Sequence, residues 1–562
     1  MSKSTFRRVF VAGTIVVLAG AVVWVASTPS SKVMAQPGAP SSKSASSGAS
    51  RPQKKAEAFT PVAGTKVTEG ALAGLLEVTP SPDQDKAAGC AASPCYAYVP
   101  EHAEPVSAIV RRWWPVTTYM TRAEMEKSLR DANKVGTKQN YVKAGQQLLI
   151  PNVEPQPVAE KSIPAPPEFE VRAVYMTGSM AGSEKGLEIV RRWRQVGGNA
   201  VVFDIKDSDG SVNVPFDHPL APHHSPAIPN LPKYVRFLHQ SGMHAIARIA
   251  LFRDENIAQH HSELAVHSRR TGEPWHENGK LVWSDPSNPK MQDYDLTLAK
   301  QVAASGVDEV QFDYVRFPAE GDQKDAKFAF EATHPNWTRA QVIADFLSRA
   351  YTEMHKEGVL LSLDVFGVMA WQRSVDLAHT GQDIPLISRY CDVLSPMIYP
   401  SHFFGMDGYK DPGDAPEHFI SMSMQRFQKV TAETHVVLRP WLQAFAWRTK
   451  TYSPQYIEVQ VATSKANGGD GFLFWNARND YAKPYAAMPD MHKEMTKYYR
   501  GDELTDIPRL EAEHAKILAE RAAEPQVVPA KATTEATVVR TSTKSHKAKT
   551  QVRPASTTEP KP

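Results

Sequence analysis

Cysteine is scarce in this chain: three residues in 562, Cys90, Cys95 and Cys391. That scarcity excludes a scaffold held by many disulfides and any zinc site built from cysteine clusters. Cys90 and Cys95, within Gly-Cys-Ala-Ala-Ser-Pro-Cys, are close enough to shut a short loop in an oxidising compartment, which leaves Cys391 as a buried thiol. An excess of charge of one sign is also missing. Sixty-four Lys and Arg against 61 Asp and Glu leave +3, with the surplus mainly in the tails, so a concentrated basic face is absent and no nucleic-acid partner is expected. The chain has no nucleophilic-serine elbow, Walker loop or dinucleotide fingerprint, which argues against those enzyme classes, and no cofactor is expected. The doublets His223-His224 and His260-His261 lack ligand spacing with nearby acids on one helix face, so no metal is expected either.

Charge is missing locally as well. After Lys3, Arg7 and Arg8, residues 9–31 carry none and are dominated by Val, Ala, Ile and Leu. A basic start followed by an apolar run is an export signal. The run exceeds the ~7 to 15 residues of a signal-peptide core and approaches the ~18 to 20 that span a bilayer. Cleavage near Val33-Met34-Ala35 and retention as an anchor therefore both stay open for residues 1–35, and only retention would make the membrane a partner. Either way the protein is expected outside the cytoplasm: periplasmic, membrane-anchored or extracellular. Residues 36–89 read as a flexible linker, because Ser, Ala, Pro and Lys bury too little apolar surface to offset chain entropy. Residues 501–562 read as a helix (509–523) followed by a disordered basic tail.

What is present is an α/β pattern. From Val171 onward, short β-branched and aromatic runs alternate with helical stretches, the mark of repeated βα units and a parallel sheet. Eight strands are expected: 171–177, 200–207, 245–252, 309–317, 360–366, 393–399, 436–443 and 471–476. Eight implies a closed (β/α)₈ TIM barrel over residues 171–500, with insertions at 212–232 and 404–417.

Alternate residues of a barrel strand point inward or outward. Parity groups Asp204 with Lys206, Gln311 with Asp313, Ser362 with Asp364, Ser395 and Met397 with Tyr399, and Arg439 and Trp441 with Gln443; on the third strand it separates Arg248 from Ile249. This polar face must be the inner one, since an outward Asp or Arg would be buried unpaired against apolar helices. These residues lie toward the carboxyl ends of their strands, where barrel enzymes carry their sites. A structural ion-pair lattice accounts for some of them, Lys206 and Arg248 in particular. It accounts less well for two Asp ending neighbouring strands beside Trp441, Tyr399 and Trp475, because aromatic rings next to carboxylates suit a sugar site.

Residues 90–152 hold a helical pattern at 122–132 and end in Val142-Lys143-Ala144-Gly145-Gln146-Gln147-Leu148-Leu149-Ile150-Pro151. That ending resembles the end of a LysM module, a small β-α-α-β unit, and the resemblance implies binding of N-acetylglucosamine-containing glycans such as peptidoglycan. The alternative is a small domain docked on the barrel. Residues 153–170 read as a Pro-rich linker separating the two units.

Several blocks in order carry a second resemblance: Phe203-Asp204-Ile205-Lys206-Asp207, Phe312-Asp313-Tyr314-Val315-Arg316-Phe317-Pro318, Asp364-Val365-Phe366-Gly367, Ser395-Pro396-Met397-Ile398-Tyr399-Pro400-Ser401-His402, Arg439-Pro440-Trp441-Leu442-Gln443 and Phe474-Trp475-Asn476-Ala477. Together they resemble the glycoside-hydrolase-like family called domain of unknown function 4015, whose members look like distant relatives of the α-amylase superfamily. The resemblance implies a polysaccharide substrate. It places the nucleophile at the Asp ending the fourth strand and the acid/base at the carboxylate ending the fifth, here Asp313 and Asp364, although α-amylases carry Glu at the latter. Asp207 or Asp254 could reach in instead. Asp204, Asp207, Arg248, Arg316, Tyr399, His402, Arg439, Trp441, Gln443, Trp475 and Asn476 are the expected substrate contacts. Arg316, Arg253 and Arg439 are expected on the carboxylates or on substrate oxygens, and Trp475 under a pyranose ring. The competing expectation is a non-catalytic glycan-binding or envelope scaffold protein on the same barrel.

Overall fold

The computed structural model describes residues 96–153 and 158–499. The expected export segment, the 36–89 linker, the Cys90–Cys95 loop and the 509–523 helix lie outside the described residues.

Eight parallel strands close into a barrel: β1 (Arg172–Met176), β2 (Ala200–Lys206), β3 (His244–Ala250), β4 (Glu309–Asp313), β5 (Leu360–Phe366), β6 (Val393–Met397), β7 (Val437–Leu438, resuming as Trp441–Gln443) and β8 (Phe472–Trp475). Each strand pairs with the next, and β8 returns to β1 through Leu473 opposite Ala173. Gly471 opens β8 at φ +74, where an added Cβ would sit 2.2 Å from the Val171 carbonyl oxygen, so only glycine lets the closing strand approach β1.

Helices α1 (Glu184–Gln195), α2 (Leu231–Gln240), α3 (Pro289–Ala303), α4 (Arg339–Lys356), α5 (Pro416–Val430), α6 (Pro454–Ala466) and α7 (Ala482–Lys493) wrap the outside; after β5 only short helices occur, Ser374–Thr380 and Ile384–Ile387. Phe203, Ile249, Phe312, Leu363, Leu394, Leu442 and Phe474 face these helices in the main apolar core. The opposite parity fills the lumen, as expected.

Three strands depart from regularity where the sequence reading ran straight on. β4 stops at Asp313 instead of reaching 317, because Tyr314 turns to φ 53, the left-handed region that ends a ladder. In β2 the register shifts between Asp204 and Lys206. That bulge corrects the expectation that both share the lumen: Lys206 reaches Asp295 of α3 and Asp254, at 2.8 Å each, and its ammonium lies over the Tyr294 ring. In β7 the break falls at Arg439-Pro440, since proline has no N–H for the ladder. Further excursions follow β3 and β4. A short pair, His267–Ser268 against Ala326–Lys327, joins them, and a hairpin turns at Asn278 (φ 50) and Gly279 (φ 82).

The small unit folds ahead of the barrel. Strands Tyr96–Tyr98 and Leu148–Ile150 pair antiparallel around two helices, Val106–Trp113 and Arg122–Asn133. The second helix begins with a reciprocal capping box between Thr121 and Glu124, and its Met125 and Leu129 join Ile109 and Trp113 in a separate core. This unit is docked on the barrel. The buried Lys233 ammonium of α2 donates to the carbonyls of Trp114 (2.7 Å) and Tyr119 (3.0 Å) and lies 4.2 Å over the Trp114 ring.

Residues 158–170, the larger part of the stretch expected to separate the units, lie instead against the amino-terminal end of the barrel. Val158, Ile163 and Phe169 are buried, and the Ile163 amide donates to Asp308 at 2.6 Å. Proline suits such a strap, because it brings no backbone donor that burial would leave unpaired.

Candidate active site at the carboxyl end of the barrel

Arg248 is the hub. Its Nη1 donates to Asp204 Oδ1 and its Nη2 to Asp313 Oδ2, both at 2.5 Å, while Nε lies 3.7 Å from Asp364 Oδ2. Each carboxylate has a second, separate donor. Tyr175 Oη donates to Asp204, the Tyr314 amide to Asp313 Oδ1 at 2.6 Å, and Trp441 Nε1 to Asp364 Oδ1 at 2.6 Å. The left-handed turn that ends β4 is thus what aims the Tyr314 N–H back onto Asp313.

Burial sets the electrostatics. Desolvation lifts Asp204 to about 7 against the opposing pull of Arg248. Desolvation, and then the Asp313 charge, push Asp364 well above the carboxylate range. Tyr399 is likewise raised by burial and by Asp364, and its hydroxyl is buried with no hydrogen-bond partner among the described residues. The Tyr175 ring stacks on Trp475 at 5.0 Å and meets Trp441 edge-on at 6.3 Å.

Of the residues expected here, Asp204, Arg248, Asp313, Asp364, Tyr399, Trp441 and Trp475 come together. Asp207 borders them: half-buried just beyond β2, it accepts the Ser208 amide, and its charge acts on Asp204, Tyr175 and Arg248. His402 lies on the rim, 5.3 Å from the Tyr399 ring and 5.0 Å from Trp447; burial lowers its pKa to about 4, so the ring is neutral. Arg253 and Arg316 flank the Tyr314 ring at 5.7 and 5.5 Å and pair with none of the three aspartates.

Four expectations are corrected. Arg439 has the right parity but the wrong depth: it precedes the Pro440 break and binds Glu309 Oε2 (2.8 Å) at the start of β4, with His244 on the same carboxylate. Against the effect of burial, the Arg439 charge and the His244 hydrogen bond hold Glu309 down at about 2. Gln443 is spent on backbone and loop, accepting from the Ser401 amide and donating to the Phe445 carbonyl and Thr449 hydroxyl. Asn476 donates to the Ala444 and Asp480 carbonyls and accepts from the Arg478 amide, which makes it a turn residue. Asp254 is taken up by Lys206 and by the Ile257 amide.

Tyr175, Tyr314 and Trp447 were not anticipated. Tyr175 shares the inward parity of Ala173 on β1, a signal the sequence did contain. Nothing local announced the turn at Tyr314. Trp447, more than a third exposed beside His402, sits in a loop where periodicity has no meaning. Among the described residues no group of three or more His, Cys, Asp or Glu is arranged to hold a metal ion.

The chain is similar to several known proteins. Residues 173–481 match the model of the family DUF4015, described as a "putative glycosyl hydrolase domain". Among solved structures, a hypothetical protein from Ruminiclostridium thermocellum ATCC 27405 is 32 % identical over 34 % of this chain and 97 % of its own, with a TM-score of 0.30. The PgaB (BpsB) glycoside hydrolase domain from Bordetella bronchiseptica is 15 % identical, covering 61 % of this chain and 98 % of its own, at TM-score 0.43. TtGalA, an α-galactosidase from Thermus thermophilus, is 14 % identical, covering 67 % and 69 %, at TM-score 0.35. No curated protein matches the chain. With its eight-stranded barrel and a match over more than half its length, the chain belongs to the DUF4015 glycosyl hydrolase domain family.

Proposed function

We propose that the protein is an exported glycoside hydrolase that cleaves a cell-envelope or extracellular polysaccharide by a retaining, two-carboxylate mechanism. One observation carries this reading: Asp313 and Asp364 end neighbouring strands on one guanidinium, and Asp364 is raised well above the ordinary range by burial and by the charge of Asp313. Two carboxyl groups set apart in this way divide into acid and nucleophile. Asp364, protonated, gives its proton to the departing glycosidic oxygen while Asp313 attacks the anomeric carbon and forms a glycosyl ester. Water, deprotonated by the Asp364 carboxylate, then releases the sugar and restores both groups. The shared guanidinium favours the close carboxylate spacing of retaining enzymes over the wider spacing of inverting ones. Trp475, backed by Tyr175, offers a ring face at the mouth.

Export rests on the basic start and uncharged residues 9–31, and a role for the small unit in holding peptidoglycan rests on its LysM-like ending. The test is to incubate the purified protein with cell-wall and exopolysaccharide fragments, measure new reducing ends, and follow the first-formed anomer by NMR. Retained configuration is expected; inversion would remove Asp313 as nucleophile. A second reading, a non-catalytic glycan-binding protein, is favoured by the small exposure of Asp313 (7 %) and Asp364 (1 %). Saturable binding with no new reducing ends would decide for it.

A further inference from the structure

Arg316 stands out as a buried cation with no carboxylate at ion-pair distance among the described residues. It is 4 % exposed, three residues past Asp313, and its guanidinium lies 4.3 Å from the Phe366 ring at the end of β5, 4.8 Å from Trp283 and 5.5 Å from Tyr314. Among the described residues one hydrogen bond engages it, from Nη1 to the carbonyl of the neighbouring Phe317 at 3.0 Å. Among the described residues no carboxylate oxygen comes within 4.0 Å. Glu277, the acid that acts on it most, stays beyond that distance. Arg253, 4 % exposed, approaches the same Tyr314 ring at 5.7 Å and has only a distant contact, 3.5 Å, with Glu255. Two buried guanidinium groups therefore share one tyrosine between the ends of β4 and β5, beside both candidate catalytic acids.

Aromatic faces compensate part of the cost of burying such a cation, but a structural arginine normally completes the balance with a carboxylate. Here none of the described residues brings one within 4.0 Å, and Glu277 acts only from beyond that distance. Of the acids at the strand ends, Asp313 is bound by Arg248, while burial drives Asp204 and Asp364 toward their neutral forms. The Nε and Nη2 groups of Arg316 have no protein acceptor among the described residues, yet they are not fully sealed from solvent. A planar guanidinium fork fixed between rings matches a planar carboxylate in two parallel hydrogen bonds, whereas a neutral sugar hydroxyl would leave its charge uncompensated.

We propose that Arg316, with Arg253 across the Tyr314 ring, forms a subsite for the carboxylate of an acidic sugar, so that the polysaccharide this site takes is a polyanion of the uronic-acid class. The inference rests on the glycan-site reading above and names its substrate class.

The test uses the full-length protein and three acidic polymers of different linkage, polygalacturonate, alginate and hyaluronan, each beside its carboxyl-reduced counterpart. Binding is measured by calorimetry and hydrolysis by reducing ends. At least one acidic polymer should bind tenfold or more tightly than its reduced form, about 1.4 kcal/mol. Arg316→Gln should erase that preference, the two forms of the polymer then binding alike. Arg316→Lys, which keeps the charge but not the fork, should fall between, and it stands in for the Gln variant should that one fail to fold. Equal binding of acidic and reduced polymers, or a preference that survives in either folded variant, overturns the proposal. Dextran sulfate binding as tightly, with the same Arg316 dependence, would overturn the carboxylate assignment in favour of a general anion site. Hydrolysis confined to reduced polymers would sink this inference and leave the glycosidase reading intact; a carboxylate preference without any hydrolysis would do the reverse.

Discussion

Replacing Arg248 by Met should destabilise the protein in a way that depends on pH, because one guanidinium serves three carboxyl groups. Methionine keeps most of the side-chain volume and removes the charge from contact with Asp204, Asp313 and Asp364. Breaking a buried ion pair by deleting one partner costs about 3–5 kcal/mol, since the remaining charge is left without compensation. At about 2.1 cal/mol/K of unfolding entropy per residue over a domain of about 330 residues, that corresponds to a fall in Tm of roughly 4–7 °C. The pH dependence follows from Asp204, whose folded pKa of about 7 lies above its ordinary value of 3.8. A carboxyl raised on folding stabilises the native state below its unfolded pKa, and that contribution is lost as pH rises through the folded value, here between about 4 and 7. Without Arg248, which pulls the Asp204 value down, the window moves upward and the loss deepens. At pH 5 Asp204 is largely protonated and has little charge left to be stranded, so the variant should be much closer to wild type than at pH 8. Thermal melts of both proteins, followed by near-ultraviolet circular dichroism at the two pH values, measure this. A loss equal at both pH values, or below about 1 kcal/mol at pH 8, would refute the argument that the cluster is a buried, charge-coupled unit.

Asp313→Asn should fold and lose several orders of magnitude in turnover on any substrate the wild type cleaves, whereas Asp364→Asn should lose much less on substrates with a good leaving group, which need little protonation; kcat on paired aryl and natural glycosides separates them. In the wild type, activity should fall as pH rises through the elevated Asp364 pKa, and kcat against pH should lack that limb in Asp364→Asn. Lys233→Met removes two charge-assisted hydrogen bonds between α2 and the small unit, each worth about 1.5–3 kcal/mol, and hydrogen exchange should rise at the docking surface while the barrel core keeps its protection. A fusion of residues 1–35 to a reporter active only after export should give signal, and full-length protein should sediment with purified peptidoglycan less well once residues 96–153 are deleted.

Strand number and parity were legible because they depend on short-range alternation, which the sequence carries residue by residue. Lumen residues such as Asp204, Arg248, Gln311, Asp313, Ser362, Asp364, Ser395 and Trp441 follow it directly. Depth along the barrel was not legible. Arg439 and Trp441 share a parity yet serve opposite ends, one on Glu309 and the other on Asp364, and what separates them is the stagger imposed by closing the barrel around the Pro440 break. Nor could alternation report where it fails. The bulge in β2 sends Lys206 to the helix layer, and the left-handed Tyr314 ends β4 four residues early. The Pro-rich strap was misread for a related reason: composition marks a chain that cannot make a ladder, but says nothing of whether it lies on a surface able to cover it.

The same limits explain the candidate site. Carboxylates were found because an inward acid at a strand end is costly unless it is paired or used, a constraint visible in the sequence. Gln443 and Asn476 met the parity or strand-end test equally well, yet their amides are consumed by the backbone of the following loops, a demand that appears only once those loops are folded. Unmet demand therefore discriminates better than position. Arg439 is paired and closes the barrel floor; Arg316 has the same charge and a similar burial but no carboxylate partner among the described residues. Of the arginines the sequence nominated together, it is the one for which no described carboxylate lies at ion-pair distance, the deficit that the proposed acidic-sugar carboxylate would fill.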